Sequence, residues 1–120
     1  MGAFAESLAR IARRVEGTRS VSLIGADGIP VETWGSAEGV SFEVLAAEMA
    51  GLLKSAHSAG GAAGAGPVRE VATVGDGAIT ILSRVTPEYY LLLLLGREGN
   101  LGRGRFELRK AAADLEKELV

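Results

Sequence analysis

Few side chains in this sequence could do chemistry, and the missing types decide more than those present. There is one histidine, His57, and no cysteine. A catalytic triad or a metal centre would have to be built around that single imidazole, with no thiolate to help. His57 falls at the end of a helical pattern, on its polar flank, and a solvated helix residue accounts for it. Asp27 and Asp76 each precede a glycine, a setting that favours aspartate because it bonds to the local backbone. Turn chemistry suffices for both. The expectation is no catalytic residue, no metal ligand and no cofactor, with disulfides excluded outright.

Two glycine-rich stretches invite comparison with phosphate-binding loops. Gly60 to Gly66 lacks the Gly-Lys-Ser/Thr ending and follows a helix rather than a strand, the wrong side for cradling phosphate. Gly96, Gly99, Gly102 and Gly104 do join a strand to a helix start, where backbone amides can hold an anion. The dinucleotide spacing is absent, however, and no later strand completes a βαβ unit. A tight turn with close helix–sheet packing is the expected role. Arg69, Arg84, Arg103 and Arg105 stay available as cations that could reach a partner.

The 120 residues are enough for one domain, taken as 1–120, with an apolar core of its own. Hydrophobic residues make up 48% and aromatics only 5%, so that core must be aliphatic. Thirteen basic against fifteen acidic side chains leave a net charge of −2. Such a balance gives no broad basic field and argues against nucleic acid or an anionic membrane as the main partner. Near the N-terminus Arg10, Arg13 and Arg14 follow the apolar positions, the reverse of a signal peptide. The longest apolar run, Tyr89 to Leu95, is far short of the ~20 residues a spanning helix needs. No membrane insertion and a cytoplasmic location are expected.

The elements that would position these residues follow from periodicity. Phe4, Leu8, Ile11 and Val15 form an apolar stripe on a first helix that Gly17 should stop. Ser20–Ile24 and Val31–Trp34 read as strands joined by the Ala26-Asp27-Gly28 turn, with Pro30 at a strand start or sheet edge. Ser41 can N-cap a second helix over Phe42–Ala59, with Glu43 in its first turn. Gly60–Pro67 reads as a mobile loop, too rich in glycine for a regular element. Strands follow at Val68–Val74, Ala78–Arg84 and, after the Thr86-Pro87 turn, Glu88–Leu95. A third helix starts near Asn100 and runs to the C-terminus with Leu101, Leu108, Ala112, Leu115 and Leu119 on one side. The order is αββαβββα. In the last strand, Tyr89, Leu91, Leu93 and Leu95 line one face while Tyr90, Leu92 and Leu94 line the other. Both faces must be covered, so this strand belongs near the centre of an antiparallel sheet with helices on both sides.

The second helix is the informative one. Phe42, Leu45, Met49, Leu52, Leu53 and Ala56 fall on one side of a helical wheel and read as the core stripe. Val44, Ala47, Gly51, Ser55 and Ser58 fall opposite, where a solvated helix would carry Lys and Glu. Gly51 costs about 1 kcal/mol in helix propensity. Small residues on an outer face let another surface approach the backbone. An alanine-rich composition that filled an exposed face cheaply is the competing account.

These residues resemble the Roadblock / dynein light chain family, especially bacterial members of the polarity-regulator type tied to Ras-like GTPases. The resemblance is carried by Ser22-Leu23-Ile24-Gly25-Ala26-Asp27-Gly28-Ile29-Pro30-Val31-Glu32 and by Leu45-Ala46-Ala47-Glu48-Met49-Ala50-Gly51-Leu52-Leu53. Tyr90 to Leu95 and Asn100 to Ala112 complete it. The resemblance implies an α+β fold: a single five-stranded antiparallel sheet with one helix on one face and the first and last helices on the other. It also implies a homodimer joined through the middle helix and third strand, and a small Ras-like GTPase as partner, whose GTP hydrolysis it promotes with the catalytic groups in the GTPase. On this reading Glu43, Glu48 and Lys54 rim the contact surface formed by Val44, Ala47, Gly51, Ser55 and Ser58. Whether such a protein is an activator, an exchange factor or a scaffold stays open, as do a profilin-like small-molecule sensor and a dynein-light-chain-like structural adaptor. The sequence is also expected to lack the longer terminal extensions that some relatives use on their partner.

Overall fold

The computed structural model describes residues 3–119. Helix α1 spans Ala3–Arg14, strands β1 and β2 span Thr18–Gly25 and Pro30–Gly35, and helix α2 spans Phe42–Ala62. Strands β3, β4 and β5 span Glu70–Val74, Ala78–Thr86 and Tyr89–Gly96, and helix α3 spans Leu101–Leu119. The strands form one antiparallel sheet in the order β2-β1-β5-β4-β3. This is the αββαβββα α+β architecture the sequence implies. The expected run of the last helix to the C-terminus ends on Val120, outside the described residues.

Local chemistry sets the boundaries. Gly17 ends α1 at φ +89°, a conformation only glycine adopts freely. The Asp27 carboxylate accepts the Ile29 amide at 3.1 Å, and Gly28 takes φ +89° to close the β1–β2 turn. Pro30 opens β2, an edge strand, where its missing N–H costs no ladder bond. Ser41 caps α2, its hydroxyl accepting the Val44 amide at 3.3 Å. Asn100 caps α3 in the same way, accepting the Arg103 amide at 2.8 Å.

Strand β5 lies at the middle of the sheet and decides the layering. Leu91, Leu93 and Leu95 join Leu8 and Ile11 of α1, Val15 just beyond it, and Leu108, Ala112 and Leu115 of α3 in one core. Tyr90 and Leu92 join Ala46, Met49 and Leu53 of α2 in a second core on the other face. Every leucine from Leu91 to Leu95 is buried, each contributing about 1.5–3 kcal/mol relative to exposure. One helix covers one face and two cover the other.

Three details depart from expectation. Helix α2 continues through Gly60 and Gly61 to Ala62, so only Ala63–Pro67 lie outside it. Alanines at 59, 62 and 63 carry the helix on, and the Ala63 and Ala65 amides donate to the Gly60 carbonyl at 3.2 and 2.8 Å. Leu52, assigned to the core stripe, is 44% exposed, while Ala46 is fully buried. The inward ridge is Ala46, Met49 and Leu53, spaced i, i+3 and i+7, and Leu52 sits ~100° away from Leu53 on the cylinder. Strand β3 begins at Glu70, two residues later than its apolar pattern suggested.

Candidate functional site

The outward side of α2 is assembled from exposed residues, most of which pack against nothing else in the chain. Val44 is 60% exposed, and Ala47, Gly51, Ser55 and Ser58 are all exposed. A Cβ built on Gly51 would meet nothing within 4 Å. Leu52 extends the apolar surface along one flank. On the other flank the β1–β2 turn comes in close, since a Cβ on Gly28 would lie 3.1 Å from the Ala47 Cα and 3.2 Å from the Ala50 Cβ. Part of the small-residue pattern is thus explained inside the chain: Ala46, Ala47 and Ala50 make room for that turn. Gly51, Ser55 and Ser58 have no such reason. Glu43, Glu48 and Lys54 are exposed on the same helix and form no ion pair among the described residues.

The two sheet edges differ in kind. At the β2 edge stand Pro30, the charged Glu32, and a register irregularity between Leu23 and Ile24, devices that discourage further strand pairing. Strand β3 pairs only with β4, and its Val71–Val74 stretch holds no proline, charge or irregularity. Val74 is 66% exposed while Val71 packs against the α2-side core. The β3 edge is the unguarded one.

The four candidate arginines separate into two sets. Arg103 is committed to the α1–α3 joint, donating from Nε to the Arg14 carbonyl at 3.2 Å and lying 3.1 Å from Glu107. Arg69, Arg84 and Arg105 line one open groove of about 530 Å³ between α3 and the β3–β4 pair, together with Arg109, which the sequence reading passed over. Its signal was present, because Arg105 and Arg109 are four apart and share a helix face. Glu107 was missed too. Only 3% exposed, it is faced by Arg103, Arg14 at 3.7 Å and Lys110 at 3.7 Å, yet its Oε2 accepts no hydrogen bond.

The remaining candidates take local roles. His57 is exposed, and its Nδ1 accepts the Val68 amide at 3.4 Å, tethering the end of α2 to the approach to β3. Among the described residues no three His, Asp or Glu side chains gather as metal ligands. No helix of the described residues is long and apolar enough to cross a membrane. Gly99 and Gly104 do what close packing requires. The Gly99 amide closes a turn onto the Gly96 carbonyl at 2.9 Å, and a Cβ on Gly104 would lie 2.8 Å from Ile81 Cδ1.

The Roadblock/LC7 domain model matches residues 5–95, more than half of the sequence. The chain belongs to the Roadblock/LC7 family. Solved structures extend the likeness over nearly all of the protein. A Roadblock/LC7 domain from Streptomyces avermitilis is 24% identical, with a TM-score of 0.87 over 98% of both chains. MglC from Myxococcus xanthus is 32% identical, with a TM-score of 0.67 over 96% of this chain and 98% of that one. An MglB in a tetrameric arrangement is 18% identical, with a TM-score of 0.88 over 98% and 90%. No curated protein sequence matches significantly. The family match stops before α3, so the Asn100–Ala112 part of the resemblance rests on structural likeness. Within this Roadblock/LC7 chain, the outer face of α2, the open β3 edge and the arginine groove are the surfaces with residues to spare.

Proposed function

We propose that this chain works, as a single domain over 1–120, as a non-catalytic homodimeric regulator that binds a small Ras-like GTPase in the cytoplasm and modulates its GTP hydrolysis. The observation that carries the reading is the bare outer face of α2, from Val44 through Gly51 to Ser58, beside an unguarded β3 edge. A second copy placed against both would pair β3 with β3 and let two helices approach at Gly51. That union would need to bury roughly 1,600 Å² in total to be stable. Membership of the Roadblock/LC7 family supports the same reading, and the MglB in a tetrameric arrangement supports self-association as a habit of such domains.

Regulation then requires contact rather than chemistry. The paired α2 helices, rimmed by Glu43, Glu48 and Lys54, would hold the GTPase's switch segments in an ordered arrangement, with the catalytic groups supplied by the GTPase itself. An arginine finger is the competing mechanism. Arg103 is engaged at the α1–α3 joint, and Arg105, on α3, is held by Glu70 at 2.7 Å.

The test is GTP hydrolysis by a small GTPase encoded beside this chain, measured with and without the protein. Single alanine substitutions of Arg69, Arg84, Arg103 and Arg105 follow. The expected result is stimulation or inhibition that survives each substitution. A ~10³-fold collapse from one substitution, with binding intact, would mark a true finger and overturn the positional mechanism. Absence of binding to any such GTPase would overturn the function itself.

A further inference from the structure

Helix α3 carries its charge in two halves. Arg103, Arg105, Arg109 and Lys110 stand in the N-terminal half with one carboxylate, Glu107, which is buried. Asp114, Glu116 and Glu118 stand in the C-terminal half with Lys117. This order opposes the helix dipole, which favours anions near the N-terminus and cations near the C-terminus. The first turn holds no acidic residue, and the last turn holds Glu116 and Glu118 beside its one lysine. Partners within the protomer account for part of it. Arg105 is bound to Glu70 at 2.7 Å, Arg103 to Glu107 at 3.1 Å, and Lys110 lies 3.7 Å from Glu107. Arg109, Asp114 and Glu116 are exposed and take part in no ion pair among the described residues. Lys110 and Asp114 have the i, i+4 spacing that suits a pair, yet the lysine is turned to Glu107 and leaves Asp114 alone.

An antiparallel copy of the same helix complements both halves. Arg109 and Glu116 lie within ~20° of each other around the helix, and Lys110 and Asp114 within ~40°. Lys110 and Asp114 are on the flank towards α1, where they line a small cleft with Arg10 and Arg14. Arg109 is on the other flank, towards Arg105. Both pairs are centred between residues 112 and 113, where the exposed residue is Ala113. A two-fold axis crossing two antiparallel helices at that point keeps each flank on its own side. It sets Arg109 against Glu116 of the second copy and Lys110 against Asp114 of the second copy, each twice. The small Ala113 lets the helices approach, and Phe106, 52% exposed, falls opposite the last turn of the second copy. We propose that α3 pairs antiparallel with α3 of a second copy through this charge-matched surface. It lies across the sheet from α2 and is independent of any association through α2. The dipoles agree as well, since the negative end of one helix lies beside the basic half of the other. One helix face is less than a stable dimer buries, so the contact is weak and salt-sensitive.

Sedimentation equilibrium of the full chain across a salt series tests this. Particle mass is expected to rise at low salt and fall back at high salt. Mass that stays doubled at high salt belongs to the α2 contact, so the two readings fail separately. Arg109→Glu with Lys110→Glu should weaken the salt-sensitive step about tenfold or more, and so should Asp114→Lys with Glu116→Lys. An equimolar mixture of these two variants should associate again, because each supplies the charges the other has lost, a recovery that misfolding cannot mimic. Arg19→Glu with Arg97→Glu shifts the net charge as far but lies off α3, and should leave the step at its wild-type strength. No salt-sensitive gain in mass at ~1 mM protein would overturn the proposal. So would a mixture that does not recover, or an equal loss in the Arg19 and Arg97 variant.

Discussion

Replacing Gly51 by leucine separates the interface reading of α2 from a purely compositional one, because the two effects carry opposite signs. Gly51 sits mid-helix with open space where its Cβ would be, so within one protomer a leucine there meets no obstacle. It should stabilise the helix by about 0.8–1 kcal/mol, the propensity difference between glycine and leucine. In a domain of this size that raises the midpoint of thermal unfolding by roughly 4 °C. In a two-fold dimer the new side chain appears twice at the closest approach of two helices. Overpacking costs about 1–3 kcal/mol per site, so the pair would weaken self-association by ~2–6 kcal/mol, from about 30-fold to about 10⁴-fold in dissociation constant. Sedimentation velocity over a dilution series reads the second effect. Thermal melts at concentrations where the protein is monomeric read the first, since the midpoint of a dimer depends on concentration. An unchanged dissociation constant together with the higher midpoint would refute the interface argument and leave composition as the explanation.

Three further outcomes follow from the packing. Gly104→Ala should destabilise by about 1–3 kcal/mol in urea unfolding despite its helix-propensity gain, because its Cβ would lie 2.8 Å from Ile81 and 3.1 Å from Leu93; a stabilised protein would show that α3 can lift off the sheet freely. Glu107→Ala should cost about 1–3 kcal/mol by the same measurement, since it leaves Arg14, Arg103 and Lys110 crowded around a void between α1 and α3. Burial raises the Tyr90 hydroxyl above its ordinary value of 10.0, with the Arg84 charge pulling the other way. In the unfolded chain tyrosine ionises first, so this contribution to stability is intact at neutral pH and is lost as pH rises through and beyond about 10; Tyr90→Phe should flatten that alkaline loss, and absorbance titration should show one late tyrosine.

Most of the architecture was legible because it is written in periods. Leu91, Leu93 and Leu95 face one core and Leu92 the other, with Leu94 buried as well, and no arrangement but a central strand buries both sides. The caps at Ser41 and Asn100 were equally readable, since each needs only one side-chain oxygen at a helix start. The rotation of α2 was not. Ala46, Leu52 and Ala50 look alike as apolar residues, yet Ala46 packs into the core, Leu52 is exposed, and the flank at Ala50 is approached by the β1–β2 turn. The helical extension over Gly60–Ala62 was hidden by the glycines themselves, whose propensity argues against what the Gly60 carbonyl contacts hold in place. The arginine groove was half visible. Its residues lie far apart in sequence, and only the β3–β4 register and the position of α3 bring them together.

Composition alone is a poor account of the bare α2 face, and the other long helix of the chain supplies the comparison. A drift towards alanine and glycine would thin out charge on every solvent-facing helix surface. Yet α3, with 19 residues, exposes eight charged side chains, Arg103, Arg105, Arg109, Lys110, Asp114, Glu116, Lys117 and Glu118. Helix α2, with 21 residues, exposes three, Glu43, Glu48 and Lys54. Only α2 combines this with an exposed valine, an exposed leucine and a mid-helix glycine that faces open space. An amphipathic helix in water gains from charge on its outer face through solvation and i,i+4 pairing, and α2 forgoes both while also giving up propensity at Gly51. Two helices made under the same composition diverge this far, and the interface proposed above for α2 accounts for the difference where composition does not.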